Sequence, residues 1–358
     1  MIRHLDEYRD EALVRRLLQR IRASTKGNWH IMEICGGQTH SLVKNGIIDL
    51  LPESITMIHG PGCPVCVTPE SIIDAALDLC LDRGVVLCTY GDMIRVPGST
   101  MSLMAAKSRG ADVRIVYSPL DALNIAVSES GKEVVFLAVG FETTAPAHAL
   151  AILQAEKAGT KNFSILHSHV MVPPAMRAIL DDPECRVDAF LAAGHVCAIT
   201  GMKDYESIAT DYRVPIVATG FEPVDLLQGI LECVEQLEKG EFNVQISYGR
   251  AVREGGNPQA TSMVERVFQW ADKEWRGLGV IPQSGLEMRP PYQSWDAFKK
   301  FGLTVQQASE TACIAGEILR GVNKPHECPF FGKECTPVSP KGAPMVSSEG
   351  ACAAYYHF

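Results

Sequence analysis

Apolar and polar positions along the chain fall into two alternating rhythms. Residues 5–22 set Leu5, Ala12, Leu13, Leu17, Leu18 and Ile21 among Arg, Asp and Glu at helical spacing, which predicts an amphipathic helix. Short apolar runs follow at His30–Ile34, Ile55–His59, Val85–Tyr90, Val113–Tyr117, Val134–Val139, Phe163–His167, Ala189–Ala193 and Pro215–Ala218. These read as strands. Between them Pro69–Arg83, Ala145–Ala158 and Pro174–Asp181 carry helical patterns. Alternation of this kind predicts an α/β fold of parallel sheet flanked by helices.

The pattern divides the chain into an N-terminal helix (1–22), a first α/β domain (23–118), a similar second one (119–222) and a C-terminal part (223–358). Gly140-Phe141-Glu142 and Gly220-Phe221-Glu222, each after an apolar strand, echo one another as two duplicated halves would. Past residue 250 proline and glycine punctuate the chain, helical signal survives mainly at Val305–Val322, and the last stretch reads as loop.

Composition narrows the function classes. The 358 residues carry 33 Lys and Arg against 42 Asp and Glu, a formal charge of −9. That balance offers no footprint for a nucleic-acid backbone. No apolar run approaches the ~20 residues that span a bilayer, and the start of the chain is charged where a secretory signal needs an apolar core, so a soluble cytoplasmic protein is expected. Twelve cysteines change the picture. Reducing conditions disfavour a disulfide framework, which leaves metal, cluster or redox chemistry.

Three constellations carry that chemistry. Cys35-Gly36-Gly37-Gln38-Thr39-His40 follows a strand and precedes a helical pattern. Open α/β sheets bind ligands beyond the carboxyl ends of their strands, and a thiol at a helix start is expected to ionise more readily. Gly60-Pro61-Gly62-Cys63-Pro64-Val65-Cys66 also follows a strand, and its two-residue spacing suits a small disulfide or a shared metal. Cys313, Cys328, Cys335 and Cys352, with 14, 6 and 16 residues between them, offer four thiolates from an irregular tail to Zn²⁺ or an iron–sulfur cluster. Weaker polar sets stand at further strand ends: Gly140–Thr144, His167-Ser168-His169, Gly194-His195-Val196-Cys197 and Gly220–Asp225. Together they point to a shared cleft. Cys80, Cys88 and Cys233 occupy apolar positions and read as core, whereas Cys185 has no evident role. These residues leave three readings open: a thiol and cluster relay serving a metal-binding thiolate, a stand-alone iron–sulfur disulfide reductase, and a zinc-binding adaptor.

The combination of Cys35–His40, Gly60–Cys66, Gly140–Thr144, Gly194–Val196, Gly220–Asp225 and the tail cysteines closely resembles the HypD family of hydrogenase maturation factors over nearly the whole chain. The resemblance implies two similar α/β domains around a central cleft and a C-terminal [4Fe-4S] domain like that of ferredoxin:thioredoxin reductase. It implies a scaffold on which the Fe(CN)₂CO group of [NiFe]-hydrogenase is assembled before delivery to the hydrogenase large subunit. Its partners would be the small chaperone HypC and the cyanide donor HypE. By the same resemblance Cys35 is the iron-holding thiolate, shared with a HypC cysteine, and His40 tunes or positions it. Cys63 and Cys66 form the redox pair, and Cys313, Cys328, Cys335 and Cys352 hold the cluster. Gln38, within the first motif, together with Glu142, His195 and Glu222, would line the cofactor cleft. Cys197 departs from the smaller polar residues common after Gly-His-Val.

Overall fold

The computed structural model describes residues 6–304 and 312–358. Its strands are β1 (Trp29–Glu33), β2 (Ile55–His59), β3 (Val86–Thr89), β4 (Val113–Ile115), β5 (Val134–Gly140), β6 (Phe163–His169), β7 (Ala189–Ala193), β8 (Ile216–Thr219), β9 (Val244–Ile246), β10 (Phe268–Trp275) and β11 (Gly279–Met288). One sheet has the order β2-β1-β7-β8-β9 and a second β4-β3-β5-β6, both parallel throughout. β10 and β11 form an antiparallel hairpin. The α/β class expected from the alternation is what the chain adopts. Every residue of β5, β7 and β8 is buried, because helices cover both faces of a parallel sheet.

The division at residue 118 does not match the sheets. The chain builds β1 and β2, leaves to make the whole second sheet from β3 to β6, and returns to the first sheet at β7. Apolar runs announce strands; which sheet a strand joins depends on partners far away in sequence. Counted in chain order, each sheet begins with the arrangement 2-1-3-4. The Gly-Phe-Glu echo is not part of that likeness. Gly140 ends the third strand of its sheet, whereas Gly220 follows the fourth strand of the other.

The N-terminal helix spans Glu11–Ser24, capped by the Asp10 carboxylate, which accepts from the Leu13 amide at 2.8 Å. Leu5 lies outside the described residues. Leu17, Leu18 and Ile21 of this helix pack with Leu227, Ile230 and Val234 of helix Pro223–Lys239 over one face of the first sheet. The β10–β11 hairpin, absent from the strands read in sequence, sends Trp275 into the first sheet's other core and Phe268, Leu286 and Met288 into the second sheet's. It ties the two together. Part of the helical signal at Val305–Val322 lies outside the described residues, and Ala315–Leu319 is helical within the remainder. The stretch read as loop ends in a helix, Ala351–His357. Among the described residues no helix is long and apolar enough to cross a membrane.

Candidate functional site

In the first sheet the chain runs from β1 to β2 on one side, and β7 lies on the other. Loops beyond β1 and β7 therefore part and leave a crevice at the strands' carboxyl ends. Cys35 stands at that point, just past β1 and before helix Gly36–Lys44. His195 stands across from it in helix Gly194–Thr200, which starts directly after β7. Cys35 Sγ and His195 Nε2 are 3.4 Å apart. The His195 ring packs on Phe221 at 5.0 Å between centroids, and Phe221 follows β8.

Gly60–Cys66, beyond β2, closes the other flank. The Gly36 amide donates to the Gly62 carbonyl at 3.1 Å. A Cβ on Gly62 would stand 2.0 Å from the Ile34 carbonyl oxygen and 2.4 Å from the Cys35 Cα, so only glycine permits this approach. Cys63 and Cys66 form a buried disulfide, with Cα atoms 5.2 Å apart. The tail covers the crevice. A Cβ on Gly36 would stand 2.1 Å from the Glu349 carbonyl oxygen, and His40 Nδ1 lies 3.0 Å from the Ser348 carbonyl oxygen.

The electrostatics reverse one expectation. Burial, and then the nearby Glu349 carboxylate, push the Cys35 thiol up to about 12, outweighing hydrogen bonds from the Gly37 and Gln38 amides. A helix start favours a thiolate, but removal from water disfavours it more. Burial also lowers the His195 pKa and keeps the ring neutral.

The other predicted residues divide. Gln38 is fully buried, and its Nε2 donates to the Ala192 carbonyl at 3.2 Å and to Thr219 Oγ1 at 2.7 Å, binding the Cys35 turn to β7 and β8. Glu222 is held by Arg9, Nη2 to Oε1 at 2.9 Å, beside a depression of about 530 Å³ lined by Phe221, Tyr248 and Arg250. Glu142 takes a different place: its carboxylate accepts from the Val172 amide at 2.8 Å beyond β5, in the second sheet. Burial raises its pKa to about 7. His167 and His169 are likewise buried at the end of β6, where His169 contacts His148.

Cys313, Cys328 and Cys335 lie near enough to Cys352 that, after burial, they raise its pKa. The Lys341 amide donates to Cys335 Sγ at 3.3 Å. Among the described residues no three His, Cys, Asp or Glu side chains are already drawn together as a metal-ligand group. Cys80, Cys88, Cys197 and Cys233 are buried free thiols. Cys185 is half-buried, its sulfur accepting from the Val187 amide at 3.4 Å.

Sequence reasoning missed a buried polar link. Glu33 ends β1 with no exposure and accepts from Thr39 Oγ1 at 2.7 Å and from His59, which ends β2. His59 Nε2 lies 2.8 Å from the Tyr355 hydroxyl of the tail helix. The signal was present as an ionisable residue closing each of two apolar strands.

A parallel sheet that brings a lone buried thiol and a disulfide together beyond its strands defines a thiol-bearing α/β protein. Comparison with known proteins makes this specific. The HypD family profile, described as the hydrogenase formation hypA family, matches residues 12–358. The chain is similar to the hydrogenase maturation factor HypD of Azotobacter vinelandii, 46% identical over 367 residues that cover 100% of this chain and 97% of that protein. HypD of Rhodobacter capsulatus is 47% identical over 367 residues, 98% of this chain and 97% of the relative. HypD of Escherichia coli (strain K12) is 44% identical over 366 residues, 100% and 98% respectively. The chain belongs to the HypD family.

Proposed function

We propose that the chain acts in hydrogenase maturation as the cytoplasmic platform on which the Fe(CN)₂CO group is assembled, with Cys35 as the thiolate that holds the iron. The observation that carries this reading is the 3.4 Å approach of Cys35 Sγ to His195 Nε2 at the β1/β7 crevice. A buried thiol keeps its proton until a soft metal ion displaces it, and neutral His195 is the adjacent base to receive that proton. Low-spin iron carrying cyanide and CO suits such a ligand. A HypC-type chaperone would supply a second cysteine and a HypE-type donor the cyanide. Gln38 and His40 act as positioning residues, because each fixes the Cys35 turn to a neighbouring element.

The Cys63–Cys66 disulfide, in backbone contact with the Cys35 turn, takes up two electrons and two protons on reduction to a dithiol. The tail thiols fit a [4Fe-4S] cluster in donor type and in mutual electrostatic reach, and Cys313, Cys328, Cys335 and Cys352 would hold it. Bound there, it supplies electrons singly.

Infrared spectroscopy of the protein purified anaerobically with its small chaperone tests the platform. Cyanide and CO stretches are expected in the wild type and lost in Cys35→Ala, while His195→Gln lowers their intensity. Bands of full intensity in Cys35→Ala would refute the assignment. A colourless preparation carrying zinc on four thiolates would remove the cluster and leave the adaptor reading.

A further inference from the structure

Glu142 lines a cavity of about 480 Å³ that the iron platform does not use. The walls are the turn after β5, the far end of the helix that begins with Gly194 and His195, helix Pro258–Val267 and the β10–β11 hairpin. A volume of this size accommodates a small ligand.

Glu142 is buried, 2% exposed. One carboxylate oxygen accepts from the Val172 amide at 2.8 Å, while the other is buried with no hydrogen-bond partner. Such an orphaned oxygen is costly unless something supplies a donor. Asp204 and Glu265 add two exposed carboxylates at the cavity wall, against a single cation, Arg289, whose Nε is already committed to the Phe268 carbonyl at 2.9 Å. Phe268 and Trp270 contribute aromatic surface, and Trp270 is 46% exposed although it lies in a strand. Excess carboxylate beside aromatic rings is the chemistry that selects organic cations, through ion pairing on one side and the ring quadrupole on the other.

We propose that this cavity binds an organic cation, an alkylguanidinium or alkylammonium group whose N–H donors pair with the free oxygen of Glu142 and whose stem lies against Phe268 and Trp270. The group belongs either to a free small molecule or to an Arg or Lys side chain of a partner protein.

Calorimetric titration of the full-length protein with n-butylguanidinium, with the neutral isostere n-butylurea and with acetyl-Gly-Arg-Gly-amide tests the site. Saturable binding of a cationic probe, at least ten-fold tighter than butylurea, is expected. Glu142→Gln keeps the Val172 contact but removes the charge, and should weaken binding ten-fold or more. Trp270→Ala, at a position 46% exposed, should weaken it several-fold and decides the matter if Glu142→Gln fails to fold. Tighter binding of butylguanidinium identifies a free ligand; tighter binding of the peptide identifies a side chain. Equal affinity for butylurea, no saturable binding of either cation, or unchanged affinity in both variants would overturn the proposal.

Discussion

Replacing Gly62 by alanine tests whether the contact between the Cys35 turn and the Cys63–Cys66 loop is set by the backbone. The added Cβ would meet the Ile34 carbonyl oxygen at 2.0 Å, the Ile34 carbonyl carbon at 2.2 Å and the Cys35 Cα at 2.4 Å, where real Cβ contacts essentially never fall under 3.0 Å. All three are backbone atoms of the β1 end, so no side chain can rotate aside. Roughly 1 Å of separation must come from moving one loop off the other, a displacement comparable to overpacking a core, at about 1–3 kcal/mol. The Gly36 amide loses its 3.1 Å bond to the Gly62 carbonyl, adding about 0.5–1.5 kcal/mol. The combined cost is about 1.5–4.5 kcal/mol. Hydrogen exchange at the Gly36 amide reads it locally: at about tenfold per 1.36 kcal/mol, exchange should accelerate about 10- to 2000-fold. Gly131→Ala is the control, since a Cβ there meets nothing within 4 Å. Unchanged Gly36 protection in Gly62→Ala would refute the reasoning.

Three further outcomes are expected. Arg250 pairs both nitrogens with Asp225 at 2.7 and 2.5 Å while lying over the Tyr8 and Tyr248 rings, so Arg250→Ala leaves a carboxylate buried at 3% exposure without its cation and costs about 3–5 kcal/mol; urea denaturation at wild-type midpoint would contradict this. Burial lowers the His148 pKa from an ordinary 6.5 to about 3, so the neutral ring stabilises the fold fully above 6.5 and that contribution fades as the pH falls from 6.5 towards 3. His148→Gln should flatten the stability profile across that window, and an identical slope would count against a neutral buried ring. Because the Cys63–Cys66 disulfide closes a loop of sequence separation 3, loop-closure entropy gives it only about 2 kcal/mol of stabilisation; denaturant melts with and without reductant should differ by no more than that, and collapse of the fold on reduction would overturn it.

Eight of the strands were legible as short apolar runs, which burial on both faces imposes on strands such as β5, β7 and β8, and β2 and β7 coincide with the stretches read from sequence. The hairpin β10–β11 was not: in Phe268–Trp275 only the two end residues are buried, the positions between are half-buried or exposed with Asp272, Lys273 and Glu274 among them, and a two-stranded ribbon packed on other elements has no apolar run of its own. Sheet membership was hidden for a related reason. Ile31 pairs with Ala189 across more than half the first sheet's sequence span, a register that local pattern does not encode.

The same distinction governs the site. Cys35, His195 and the Cys63–Cys66 pair were visible because glycine turns after apolar strands mark the crevice of an open sheet, and crevice residues from separate strands meet when their strands are neighbours. β2, β1 and β7 are neighbours, so their terminal residues meet. Glu142 follows a strand of equal apolarity, but that strand belongs to the second sheet, and its carboxylate is buried beside another cavity. The ionisation of Cys35 was misjudged because a helix start is local and legible, whereas burial comes from core packing with residues such as Phe190 and Val196, and the Glu349 charge comes from more than three hundred residues away in the chain. The tail lies against the same turn through backbone at Gly36 and against His59 through Tyr355, and the segment that brings the Glu349 carboxylate near the thiol also carries Cys352. A displacement of the tail that carries Cys352 is therefore expected to reach Cys35 through the charge of Glu349.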